Sequence, residues 1–105
     1  MEIKELIGRR IKYLRKSKGM SQEELAEKMG INPKYLSSIE RGKENPTLDT
    51  FIKLTSTLNI DISEPFSCTH EQSPKELKMI ISDLVKGNDK EKLKLLAKIA
   101  KAINI

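Results

Sequence analysis

The segment "INPKYLSSIERGKENP", residues 31–46, carries hydrogen-bonding side chains at helical spacing. At 100° per residue, Leu36 and Ile39 lie on one face of a helix and the polar side chains lie on the opposite face. The polar residues are Lys34, Ser37, Ser38 and Arg41. A polar helix face is most often simply solvated. Its functional meaning therefore depends on the elements that position it.

Composition narrows the class of protein. The 105 residues predict one domain with room for a small appendage. Twenty Lys and Arg against fifteen Asp and Glu give a net charge of +5, which suits a polyanionic partner, although many unrelated proteins are equally basic. Cys68 is the only cysteine, which excludes an internal disulfide and fits a reducing compartment. No apolar run approaches the ~20 residues of a membrane span, so we expect a cytoplasmic protein.

The sequence contains no arrangement that predicts catalysis. It has no phosphate-binding glycine loop, and its one histidine, His70, has no obvious nucleophile in a structured segment. Cys68 and His70 are only two ligands, which is far short of a tetrahedral metal site. We therefore expect no enzyme activity, no cofactor and no bound metal.

Apolar periodicity and capping residues predict an all-α chain. The first helix has apolar residues at intervals of four, four and three: Ile3, Ile7, Ile11 and Leu14. Ser21 caps a second helix, because Glu24 three residues later completes a capping box, and Gly30 ends it. Asn32 caps a third helix, with Pro33 at its first position.

The pattern continues to the C-terminus. Thr47 caps a fourth helix, and Ser63 begins a short fifth segment whose Phe66 would close the core. Residues 67–73 lack periodicity and are predicted to be a linker. A sixth and a seventh helix then form a helical hairpin over residues 74–105.

The junction between the second and third helices is unusually short. Only Gly30, Ile31 and Asn32 separate them, so the two axes must cross steeply. Such a crossing needs a small residue at the closest approach, supplied by Ala26, and a positive φ in the bend, supplied by Gly30. The spacing is that of the helix-turn-helix DNA-binding motif at six positions: Gln22, Ala26, Gly30, Ile31, Leu36 and Ile39.

Residues 7–66 resemble the Cro/repressor-like (Xre) family of helix-turn-helix regulators. The resemblance rests on "IGRRIKYLRKSKGMSQEELAEKMGI" and "YLSSIERGKENPTLDTFIKLTSTLNID". It implies a compact lambda-repressor-like bundle of five helices over residues 1–66, whose second motif helix enters the major groove of double-stranded DNA. It further implies a transcriptional regulator, most commonly a repressor, that binds a palindromic operator.

The resemblance gives roles to the polar face. Lys34 can donate to guanine O6 or N7, Ser38 can bond a base edge one turn later, Ser37 flanks them, and Pro33 can touch a thymine methyl. Several phage relatives have glutamines where Pro33 and Lys34 stand, so operator sequence does not transfer from them.

Phosphate contacts and one structural pair follow from the same comparison. The position of Gln22 contacts a phosphate in relatives, at an exposed helix N-terminus. The remaining expected phosphate contacts are Tyr35, Arg41, Lys43 and Asn45. The family pairs an arginine of the first helix with a glutamate that ends the third, which corresponds to Arg15 and Glu40. The pair would be partly buried and would orient the third helix.

The hairpin has more apolar surface than two helices can bury between themselves. It either packs back on the bundle or meets a second copy, and we favour a homodimer, since a dimer reads two half-sites. The expected dimerisation residues are Leu77, Ile80, Ile81, Leu84, Val85, Leu93, Leu96, Ile99 and Ile103. The layout resembles that of sporulation and biofilm repressors, in which a small antagonist protein docks on the hairpin. The alternative is a protein–protein adaptor or antitoxin-type module.

Overall fold

The computed structural model describes residues 2–67, 74–85 and 90–102. These residues are all-helical, as the sequence predicts, and they contain six α-helices and one 3₁₀ turn. The helices are α1 (Ile3–Ser17), α2 (Gln22–Met29), α3 (Pro33–Glu40), α4 (Leu48–Leu58), α5 (Pro74–Val85) and α6 (Lys90–Ala102), and the 3₁₀ turn is Glu64–Phe66. Residues 68–73 of the predicted linker, and residues 86–89 and 103–105 of the predicted hairpin, fall outside the described residues.

Both helices of the motif, α2 and α3, begin directly after the N-cap residues that the sequence predicts. The Ser21 hydroxyl accepts a hydrogen bond from the Glu24 N–H, and the Glu24 carboxylate accepts one from the Ser21 N–H. The Asn32 side chain accepts from the Lys34 N–H at 2.8 Å, with Pro33 at the first helical position. These bonds satisfy N–H groups that have no partner inside the helix.

The predicted fifth segment is a single 3₁₀ turn. Asp61 shapes its approach, because its carboxylate accepts from both the N–H and the hydroxyl of Ser63. Phe66 then enters the core fully buried, with its ring centroid 4.7 Å from that of Phe51 on α4. This confirms the prediction that Phe66 closes the core.

Two glycines let α1 and the end of α3 approach closely. A Cβ on Gly8 would lie 2.8 Å from the Glu40 carbonyl oxygen and would also collide with that of Ile39. Gly42, which follows α3, has φ +74° and lies against Glu5, where a Cβ would be 2.7 Å from Cα. These approaches fix the C-terminal end of α3 against α1.

The hairpin packs back on the bundle. Ile80, Leu84, Leu96 and Ile99 are at most 4% exposed and belong to the same core cluster as the α1–α4 side chains. These four of the nine expected dimerisation residues are therefore covered within one chain, and the contact with a second copy stays a prediction. Periodicity identified an apolar face but not the surface that covers it.

The remaining expected dimerisation residues differ in exposure. Leu93 is 46% exposed and Ile81 is half-buried. The side chains of Leu77 and Val85, and all of Ile103, lie outside what the structure describes. Met79 on α5, which the dimerisation prediction did not include, is 61% exposed.

Two ion pairs hold α6 against the bundle. Lys92 Nζ lies 2.7 Å from Asp49 Oδ1 on α4, and Lys98 Nζ lies 2.9 Å from Asp61 Oδ2. The hydrogen bond from Lys92 lowers the pKa of Asp49. Hydrogen bonds from the Ser63 backbone, Lys98 and the Ser63 hydroxyl lower the pKa of Asp61. None of the helices in the described part of the chain combines the length and the apolar character that a membrane span requires.

Candidate nucleic-acid interface

The turn between α2 and α3 has the geometry that its sequence requires. Gly30 adopts φ +72° and ψ +31°, a left-handed conformation that is costly for residues with a Cβ. The Gly30 N–H donates a hydrogen bond to the Glu27 carbonyl, and the Ile31 N–H donates one to the Ala26 carbonyl at 3.0 Å. Ala26 is fully buried at the crossing. The turn therefore closes α2 and redirects the chain into α3.

The two faces of α3 are sharply different. Leu36 and Ile39 are each 1% exposed and belong to the core. On the other side, Pro33 and Lys34 are exposed, and Ser37 and Ser38 are half-buried. The residues predicted to read bases thus share one accessible helix face within the described chain.

Arg15 and Glu40 form a buried ion pair between α1 and α3. Arg15 Nε donates to Glu40 Oε2 at 2.7 Å and Arg15 Nη2 donates to Oε1 at 2.9 Å, which is a bidentate geometry. Arg15 Nη1 also donates to the Met20 carbonyl at 2.7 Å. The hydrogen bond to Glu40 raises the pKa of Arg15, so the guanidinium stays charged.

Gln22 extends this pair to α2. Its Nε2 donates to Glu40 Oε1 at 3.0 Å, so one carboxylate joins three helices. Local spacing in the sequence does not predict this bond, because the approach of residues 18 positions apart depends on the fold. Gln22 is half-buried at the first position of α2, and its expected phosphate contact stays a prediction.

Tyr35 lies between α3 and α4. Its hydroxyl is 3.3 Å from Thr50 Oγ1, which in turn is 3.0 Å from Thr47 Oγ1, the N-cap of α4. The ring is half-buried against the core. Tyr35 therefore ties α3 to the start of α4, and any phosphate contact would have to share its hydroxyl with Thr50.

The other expected phosphate ligands are open to solvent. Arg41 is the C-cap of α3, and its Nε donates to the Ser37 carbonyl at 3.4 Å while the side chain remains exposed. Lys43 and Asn45 are exposed in the loop that leads to α4. All three follow the C-terminal end of α3, whereas Gln22 lies at the start of α2.

A short glycine turn between two helices, with the second helix buried on one side and polar on the other, defines a helix-turn-helix DNA-binding unit. Residues 11–64 match the helix-turn-helix family. The chain belongs to this family, in its Xre-type branch, as its sequence resemblance indicates. It is a DNA-binding transcriptional regulator.

Curated relatives have consistent names. The chain is 38% identical over 71 residues to the uncharacterized HTH-type transcriptional regulator y4dJ of Sinorhizobium fredii, covering 68% of this chain and 92% of that protein. It is 43% identical over 67 residues to the HTH-type transcriptional regulator SinR of Bacillus subtilis, covering 63% and 60%. It is 39% identical over 62 residues to the control protein C.SmaI of Serratia marcescens, covering 59% and 74%. These names describe regulators rather than enzymes.

Solved structures show the same architecture. The restriction-modification controller protein C.AhdI of Aeromonas hydrophila has a TM-score of 0.59 at 38% identity, over 60% of this chain and 96% of that one. A chain of the SinR/SinI protein complex has a TM-score of 0.58 at 35% identity, over 90% of this chain and 94% of that one. Coverage of 90% means that this second match includes much of the hairpin as well as the bundle.

Proposed function

We propose that this protein is a repressor that binds a palindromic operator as a homodimer, with α3 in the major groove. The observation that carries the proposal is the accessible polar face of α3, opposite a face that the core buries completely. A helix about to enter a groove must be held rigidly from behind. Here Glu40, the last residue of α3, accepts hydrogen bonds from Arg15 and Gln22, and these bonds hold the C-terminal end of α3 in place.

Base recognition would rest on Lys34 and Ser38. They are four residues apart and therefore about 6 Å apart along the helix axis. Successive base pairs are about 3.4 Å apart along the duplex, so the two side chains can meet bases about two steps apart. Lys34 donates to acceptors such as guanine O6 and N7, whereas the Ser38 hydroxyl both donates and accepts. Lys34 therefore contributes the stronger base preference.

Phosphate contacts at both ends would fix the depth of α3 in the groove. Arg41, Lys43 and Asn45 would hold the backbone beyond the C-terminal end of α3. Gln22 would hold it from α2, since one N–H of its amide is used by Glu40 and its other amide groups remain available. These contacts carry no sequence information but orient the reading face.

The hairpin would supply self-association through its uncovered apolar side chains. Met79 and Leu93 are 61% and 46% exposed, and Ile81 and Leu95 are half-buried. To read a palindromic operator, two copies joined in this way would need their α3 helices about 34 Å apart. A Met79→Lys, Leu93→Lys double variant should be monomeric at micromolar concentration in light scattering after size exclusion, while the unaltered chain is dimeric.

The same exposed residues support a second candidate function, capture of a protein partner by the hairpin. A structural neighbour that covers 90% of this chain was solved as a SinR/SinI complex. A salt titration separates the two functions. Operator binding weakens by orders of magnitude from low to moderate salt, whereas an apolar protein contact barely changes.

Selection of bound duplexes from a random DNA pool tests the proposed function as a whole. The proposal predicts enrichment of an inverted repeat whose half-sites are one helical turn apart. Enrichment of a single unrepeated site would exclude the symmetric dimer. No enrichment over random duplex would exclude sequence-specific binding.

A further inference from the structure

The exposed face of α1 carries positive charge that the core and its ion pairs do not use. Between residues 9 and 18 there are six basic residues, and no acidic residue occurs between Glu5 and Glu23. Arg15 is bound to Glu40, and Arg10 Nη2 lies 2.8 Å from Glu64 Oε2. Two of the six are therefore committed to structure.

Three of the others form one stripe. Arg9, Lys12 and Lys16 are spaced i, i+3 and i+7, which places them within about 60° on one side of the helix and spreads them over about 10 Å. All three are exposed. Across residues 2–67, 74–85 and 90–102, none of the three has an acidic side chain within ion-pair distance.

The stripe lies next to the end of α3. Gly8 contacts the carbonyls of Ile39 and Glu40, and Arg15 reaches the Glu40 carboxylate. Lys12 is four residues after Gly8 and three before Arg15, so it projects from the neighbouring side of α1. Lys16 is close in sequence to Met20 and to the start of α2, where Gln22 joins the same network.

We propose that Arg9, Lys12 and Lys16 form a second phosphate-binding surface, which grips the DNA backbone beside the groove that α3 occupies. The inference rests on the proposed function. An acidic protein segment could also match the charge, but the stripe borders the junction of α1, α2 and α3, where the proposed DNA contacts converge. A duplex bound by α3 as proposed would bring phosphates close to α1.

The test compares two variants of the full chain that lose the same charge. In the stripe variant, Arg9, Lys12 and Lys16 are changed to Gln. In the control variant, three exposed hairpin lysines are changed to Gln: Lys78, Lys94 and Lys101. Both lower the net charge from +5 to +2. All six positions are exposed, and a thermal melt by circular dichroism checks that both variants keep the fold.

The measurement is the salt dependence of binding to a random-sequence duplex and to a selected operator. If each stripe residue neutralises one phosphate, the slope of log K against log salt falls by about 2.7 in magnitude for the stripe variant, on both duplexes. The control slope should stay near that of the unaltered chain, and the selected sequence should be the same for all three proteins.

Equal slopes for the stripe and control variants would overturn the inference, including the case in which the stripe serves an acidic protein. The random-sequence duplex keeps this result independent of base recognition. A protein that binds duplex through the stripe but prefers no sequence would instead contradict the proposed function alone.

Discussion

Replacing Glu40 with alanine removes the acceptor for Nε and Nη2 of Arg15 and Nε2 of Gln22. Arg15 is only 6% exposed, and within the described part of the chain it would keep one hydrogen-bond acceptor, the Met20 carbonyl. Leaving one member of a buried ion pair without the other costs about 3–5 kcal/mol. Total stabilities of single domains are about 5–15 kcal/mol, so this loss is a large fraction. At roughly 4 °C or more per kcal/mol, the melting temperature should fall by at least about 12 °C.

The assay is thermal and urea unfolding followed by far-UV circular dichroism. Glu44→Ala is the matched control, because Glu44 is exposed in the loop after α3 and its loss should change stability by less than about 0.5 kcal/mol. A double variant, Arg15→Met with Glu40→Met, removes both charges and should recover much of the loss. If Glu40→Ala unfolds at the same temperature as Glu44→Ala, the pair does not hold α3 and the reasoning fails.

Three further predictions concern packing, pH and DNA. Gly8→Ala should lower the free energy of unfolding by about 1–3 kcal/mol, because the backbone carbonyls of α3 cannot move aside. Lys12→Ala on the same helix is the control and should change it by less than about 0.5 kcal/mol. Urea unfolding of the two variants measures both changes. The folded-state pKa of Asp49 and that of Asp61 both lie below the ordinary 3.8. The ionised carboxylates therefore stabilise the folded state above that pH, and this stabilisation is lost as the pH falls below it. Thermal melts at pH 6 and pH 3 should therefore show a smaller fall in melting temperature for the Asp49→Asn, Asp61→Asn variant than for the unaltered chain. An equal fall in the two proteins would contradict the role of these pairs. Arg41→Ala should weaken binding to all duplexes alike and reduce the salt slope by about 1, whereas a sequence-dependent loss would indicate base contact instead.

Local signals made the motif predictable from the sequence. Ser21 with Glu24, and Asn32 with Pro33, identify helix starts because each cap bonds an N–H two or three residues away. Gly30 identifies the bend for a similar reason, since its backbone conformation excludes most other residues. The exposed face of α3 then follows from helical periodicity.

Features that depend on distant approaches could not be predicted in the same way. Gly8 looks like any glycine within an amphipathic helix until α3 is placed against it. The apolar faces of α5 and α6 were visible, but Ile80 and Ile99 could equally have met a second copy. Tyr35 has a polar tip on a half-buried ring, and only the position of Thr50 shows where its hydroxyl points.

The most direct test of the account is to repeat the random-pool selection with a Lys34→Ala, Ser38→Ala variant. If the exposed face of α3 reads bases, the variant should lose preference at base pairs about two steps apart in each half-site, while the spacing between half-sites is retained. If the variant enriches the same sequence with the same stringency as the unaltered chain, another surface reads the operator and the account is wrong.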